Sequence, residues 1–251
     1  MLALEFPPIN ELLRWQDIFP TFNKIALIAV LATVVTSVIF LMAARQDGLK
    51  APKGIRNLAE TIVEFIEDQI IMPTMGKHGL GWTPFLLSLF MFIYLCNLPG
   101  ILPFFQMPAT ARIAIPLFLS LLVWVVFIGV GFKHQGFGYL KNSLFPPGVP
   151  KPLYILVAPI EFISTFLVRP FSLTVRLFAN MLAGHILLVT FALLTHELVQ
   201  SDSFALKPVA ILPFFMLLFL TAFEVLVGFL QAYIFTILAA VYIGGAAHPE
   251  H

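Results

Sequence analysis

Residues Arg169 to His185 read RPFSLTVRLFANMLAGH, and Glu224 and Gln231 stand in a second apolar stretch farther along the chain. In so greasy a sequence these are the side chains whose types could do chemistry. Arginine stays protonated at physiological pH, so Arg176 offers a permanent positive charge to something negative and should not carry protons itself. Histidine has an ordinary pKa near ~6.5 and takes up and releases protons around neutrality. His185 beside a carboxylate such as Glu224 could therefore form one station of a proton path. Placing a charge at the centre of a bilayer costs on the order of 3 kcal/mol, and such residues usually face a protein interior or a water-filled route. The alternative is a buried ion pair that simply holds two helices together.

Helical geometry arranges these groups. At about 100° per residue, Ser172, Arg176 and Asn180 share one face, and Arg169 joins them one heptad earlier. Ala179 and Ala183 lie beside that face, where small side chains let another helix approach closely. His185 lies nine residues beyond Arg176, pointing to nearly the opposite side and roughly 13 Å along the axis. On the partner segment Glu224, Gly228 and Gln231 share a face. If the two segments form an antiparallel hairpin, residues at equal depth have a constant summed number. The pairs His185–Glu224 and Arg176–Gln231 agree on that register to within about one residue. One hairpin then carries an acid–base layer and an arginine–amide layer, which a single salt bridge would not require.

The elements that must hold these groups follow from hydropathy. Of 251 residues, 60% are hydrophobic and 11% charged, against about 25% charged in a soluble domain. That composition predicts an all-α polytopic membrane protein. Spans are expected at Ile25–Ala44, Thr83–Leu102 and Ile113–Phe132, each near the roughly 20 apolar residues that cross a bilayer. Two longer apolar regions, Leu153–Thr195 and Pro208–Ala247, exceed an upright helix and imply tilt, a kink or consecutive helices. Together residues 153–247 read as a helical hairpin about the polar turn HELVQSDSFALK. Asn57–Ile71 reads as an amphipathic helix on the membrane surface or against a partner, with Leu58, Ile62, Phe65, Ile66 and Gln69 at helical spacing and Glu60, Glu64, Glu67 and Asp68 around the rest. The whole chain reads as one membrane domain.

Four Lys or Arg residues between Arg45 and Arg56, and three between Lys133 and Lys151, mark those loops as cytoplasmic. Five spans then leave residues 1–24 outside and the C-terminal HPEH inside. The N-terminal segment has neither a basic start followed by an apolar run nor an Arg- and Ser-rich composition, so it reads as neither a secretory signal nor a transit peptide; a bacterial plasma membrane is the simplest home, with an organelle-encoded protein the alternative. The net charge of +1 and the lack of a basic run give no footing for nucleic acid. Cys96 is the single cysteine, so no internal disulfide can form. Neither a GxxxxGK[ST] phosphate loop nor an HExxH zinc motif occurs, and no cofactor is expected.

The stretch SLTVRLFANMLAGH followed by FEVLVGFLQAYIFTILAAVYI resembles the a subunit of F-type ATP synthases. Upstream, NLPGILPFFQMPATARIAIPL and FKHQGFGYL resemble that family's earlier spans and loop. The resemblance implies a non-catalytic stator that passes protons beside a rotating ring of c subunits. Its other partners would be b-type peripheral-stalk subunits and the remainder of the complex. Arg176 falls on the family's essential arginine. Asn180, Gln231, His185 and Glu224 fall on polar positions of its proton route, Ser172 shares the arginine's face, and Glu161 lies within a residue of an acidic position at the inner exit. Some relatives carry the acid and the base of positions 185 and 224 in the opposite order. Where the family often has an acidic residue in its outer entrance, this chain has Ala111 and Arg112. Two other classes compete. A proton-coupled secondary transporter would also place Arg, His and Glu at mid-membrane, and would work alone. A haem-binding subunit commonly needs two facing histidines, whereas only His185 lies well inside a span.

Overall fold

A computed structural model describes residues 17–19, 22–44, 54–101, 108–136, 138–139, 144, 153–201 and 207–247. Bilayer hydrocarbon offers backbone groups no partners, so a crossing segment must satisfy its own hydrogen bonds, as a helix does. Accordingly the described residues are almost wholly helical. The exception is an antiparallel ribbon, β1 (Asp17–Phe19) with β2 (Phe22–Asn23). It leads into α1 (Lys24–Ala44), where the Asn23 side-chain oxygen accepts the Ala26 N–H at 3.1 Å. The hydroxyls of Thr33, Thr36 and Ser37 each donate to the carbonyl four residues back. Their polarity is thereby spent inside α1, which can face lipid.

After Gly54, whose φ of 61° suits a residue without a side chain, α2 (Ile55–Ile66) continues through a π-turn at Glu67–Ile71 and one further turn at Met72–Met75. A 3-10 segment, Gly76–Trp82, feeds α3 (Thr83–Asn97), which has Pro84 in its first turn where no N–H is missed. Helix α4 (Ala114–Gln135) ends at Gly136. The first long apolar region is two consecutive helices, α5 (Tyr154–Ile163) and α6 (Arg169–Gln200), joined by a π-turn at Ser164–Val168. The second is one unbroken helix, α7 (Ile211–Ala247), behind a 3-10 turn at Pro208–Ala210. Among the described residues five stretches are long and apolar enough to cross a membrane: Lys24–Ala44, Ile55–Gly100, Ala114–Gln135, Tyr154–Gln200 and Pro208–Ala247. The chain is an all-α polytopic membrane protein.

Two local readings of the sequence shift. The polar turn begins later than HELVQ, because α6 runs through His196 and Glu197 to Gln200. Glu, Leu, Val and Gln are tolerable helix formers, and no breaker precedes Ser201. In the Asn57–Ile71 region the inward side is carried by Ala59, Ile66, Ile70 and Ile71, while Leu58 stays half exposed at 50%. That side packs on α1, α3 and α7 of the same chain.

The core centres on the second half of α7. Its buried Ala232, Ala239, Ala240 and Ala246 let α3, α4 and α6 approach closely. Leu86, Phe90 and Ile93 of α3, Val123 and Phe127 of α4, and Leu173 and Leu177 of α6 fill the space around it. The first part of α7 differs: Leu212, Phe215, Leu218 and Phe219 are exposed. The helix therefore emerges from the bundle at about the level of Glu224. A direct hydroxyl contact, Ser120 Oγ to Thr174 Oγ1 at 2.5 Å, ties α4 to α6 in the interior.

Candidate functional site

Helices α6 and α7 lie against each other and carry most of the polar residues singled out above. Glu224 is buried at 5% exposure and His185 likewise at 5%. The carboxylate of Glu224 rests against the backbone of α6. A β-carbon added at Gly184 would come within 3.0 Å of Glu224 Oε1 and 3.3 Å of its Cδ. Gly184 is thus the residue that admits the carboxylate, one position before His185. Neither Glu224 oxygen has a hydrogen-bond partner among the described residues, and no hydrogen bond joins Glu224 to His185. A buried, unsatisfied carboxylate is costly. It has unused capacity to accept a proton or to bind water.

One turn farther along α7, Gly228 is buried and its carbonyl accepts Asn97 Nδ2–H at 3.3 Å. Asn97 Oδ1 in turn accepts the hydroxyl of Thr110. Both side chains are buried, Asn97 at 3% and Thr110 at 0%. The α3 terminus and the Ala109–Ala111 turn thereby bring a polar cluster to the Glu224–Gln231 face of α7. The sequence reading passed over Asn97 and Thr110. An asparagine within an uncharged apolar run is the signal that the sequence carries for this cluster. At the position where an acidic residue was absent, Ala111 is buried and Arg112 points outward, so the local polarity comes from the Thr110–Asn97 pair instead.

Gln231 is buried at 3%. Arg176 and Asn180 are exposed, with exposed Ala179 and Ala183 beside them. Arg176 takes part in no ion pair or hydrogen bond among the described residues, with Gln231 included. The hairpin therefore has two distinct sides. Glu224, Gly228 and Gln231 turn inward, whereas Arg176 and Asn180 form an outward polar strip edged by small side chains. Ser172 lies between these conditions, half-buried, its hydroxyl donating to the Arg169 carbonyl at 3.1 Å. Glu161 is half-buried on α5, separated from α6 by the π-turn. No cluster of three or more His, Cys, Asp or Glu side chains suited to a metal occurs among the described residues.

An arginine exposed beside small residues thus stands on one side of the hairpin and a buried Glu and His on the other; comparison with known proteins places the chain as a whole. Residues 25–244 match the family model described as ATP synthase A chain. The chain belongs to the ATP synthase subunit a family. Relatives named ATP synthase subunit a include one from Frankia alni, 43% identical over 91% of this chain and 79% of the relative. Another, from Rhodococcus erythropolis, is 41% identical over 91% of this chain and 83% of its own length. A third, from Maricaulis maris, is 41% identical over 92% of this chain and 90% of its own. The family match extends from α1 to the last turns of α7, so it covers three of the five membrane-length stretches of this subunit a homologue in full and nearly all of the first and last.

Proposed function

We propose that this chain is the proton-translocating stator subunit of a rotary F-type ATP synthase, standing beside a ring of c subunits in a bacterial plasma membrane. The observation that carries the reading is Arg176: a permanent cation, unpaired among the described residues, on the outward face of a membrane helix. A charge so placed needs a negative partner from another molecule. Ala179 and Ala183 leave room for a passing helix that bears a carboxylate.

In this mechanism protons enter from outside through an aqueous half-channel and reach the buried Glu224–His185 level. Gln231, Asn180 and Ser172 contribute polar groups along the way. A protonated, neutral ring carboxylate can then move into lipid. After nearly a full turn it meets a second half-channel open to the cytoplasm, with Glu161 near its exit. Arg176 favours the ionised carboxylate, because an opposite charge lowers an acid's pKa, and it separates the two half-channels as a positive barrier. A potential of 100 mV supplies about 2.3 kcal/mol per proton. This subunit itself makes no ATP; the rotor delivers the energy to catalytic subunits elsewhere. Its residues 1–24 lie outside, its C-terminus lies in the cytoplasm, and b-type peripheral-stalk subunits hold it against rotation.

The test is Arg176→Ala in the purified, reconstituted complex. Coupled ATP synthesis is expected to disappear and passive proton leak to rise. Arg176→Lys is expected to fail as well, since an ammonium can lose its proton and lacks the planar fork. Normal synthesis by either variant refutes the assignment.

A further inference from the structure

Arg169 shares the helical face of Arg176, one heptad earlier, yet its surroundings are the reverse. It is half-buried at the first residue of α6, directly after the π-turn. Its guanidinium lies 5.0 Å from the ring centre of Tyr242 on α7 and 6.0 Å from that of Phe127 on α4. Those two rings are themselves 5.8 Å apart. The charge is also felt by buried Tyr139, beyond the end of α4, where it works against the burial that raises the phenol's pKa. Among the described residues no carboxylate pairs with Arg169. A weakly hydrated planar cation against aromatic faces is a favourable contact, and a desolvated setting strengthens it.

We infer that Arg169 is a positioning residue: a cation–π clamp that locks the start of α6 to α4 and α7 and so sets the rotation of α6 that turns Arg176 outward. The polar strip of α6 runs from a covered end, where Tyr242 and Phe127 close over Arg169, through half-buried Ser172 to exposed Arg176 and Asn180. Only two helical turns separate the arginines, and buried Leu173 and Leu177 keep that segment rigid. The clamp grips α7 and α4 together, whereas the Ser120–Thr174 contact ties α6 to α4 alone. If Arg169 is released, α6 can roll about its axis, and the azimuth of Arg176 rolls with it.

This inference rests on the stator reading, and the experiment separates the two. Complexes carrying Arg169→Met, Arg169→Lys, Tyr242→Leu and Tyr242→Phe are compared with Arg176→Ala for ATP synthesis and passive proton leak. Arg169→Met and Tyr242→Leu are expected to cut coupled synthesis about tenfold, with raised leak. Arg169→Lys keeps a cation and Tyr242→Phe keeps a ring, so both are expected to stay within about twofold of wild type. The double variant Arg169→Met with Tyr242→Leu is expected to be no worse than either single, because both remove one contact. Multiplying losses, or an Arg169→Lys as defective as Arg169→Met, overturns the clamp. If Arg169→Met does not assemble, the conservative pair decides: coupled Arg169→Lys and Tyr242→Phe complexes support it, and failure of either sinks it. An Arg176→Ala complex with normal synthesis instead refutes the stator reading itself.

Discussion

Gly184 and Glu224 approach closely across the hairpin, and the approach follows from a missing side chain. The carboxylate occupies the space that a β-carbon on α6 would claim. Gly184→Ala would press a methyl to 3.0 Å from Oε1, a contact that a few tenths of an ångström of movement at the flexible end of Glu224 relieves. The expected result is an assembled complex with slower ATP-driven proton pumping. Gly184→Val should be more severe, since a branched side chain leaves Glu224 no nearby alternative. His185 shares the level without a hydrogen bond to the carboxylate, and the proposed route requires the two to pass protons. His185→Ala is expected to slow transport and to change its pH profile. A rate unaltered between about pH 5 and pH 8, across the ordinary range of imidazole titration, would reduce His185 to packing.

The membrane helices are held in register by few polar contacts, and those contacts make clear targets. Asn97 bonds at once to the Gly228 carbonyl of α7 and to Thr110. Asn97→Ala leaves the buried Thr110 hydroxyl without its acceptor and removes the bond from α3 to the Gly228 carbonyl, which costs about 1–3 kcal/mol. A lowered unfolding temperature of the purified chain in detergent would register the loss, and an unchanged one would count against the cluster's structural weight. Gly131 supports α4 differently. A β-carbon there would stand 2.6 Å from the Tyr139 ring, so Gly131→Ala overpacks the contact and is expected to destabilise the protein by about 1–3 kcal/mol in the same assay. The exposed first part of α7 contrasts with its buried second part. This division places Glu224 about where the helix leaves the bundle.

At the scale of the molecule, the outward strip of Arg176 and Asn180 has no counterpart among the chain's described residues, and the proposed function assigns that counterpart to the assembly. The purified chain, reconstituted alone in vesicles, is expected to show no substrate-coupled proton movement. Autonomous coupled transport would instead favour a secondary transporter. The proposed topology rests on charge. Cysteines placed between residues 45 and 56 should react with an impermeant reagent only from the cytoplasmic side, and cysteines in residues 1–24 only from outside. The reverse pattern would invert the two half-channels.

Much of this is legible in the sequence itself. A chain that is 60% hydrophobic and carries 11% charged residues has to be satisfied by lipid, and its apolar runs marked the spans. The common face of Ser172, Arg176 and Asn180, and that of Glu224, Gly228 and Gln231, follow from helical repeat alone, because local geometry sets them. What lies against each face is decided by neighbours remote in sequence. Only packing could make Arg176 exposed and Arg169 covered by rings from α4 and α7, though both occupy one strip. Only packing could seat Glu224 on Gly184, or bring Asn97 to a carbonyl 131 residues away. Periodicity specifies direction around one helix axis, whereas burial and partnership depend on how several axes cross, and that information is spread over the whole chain.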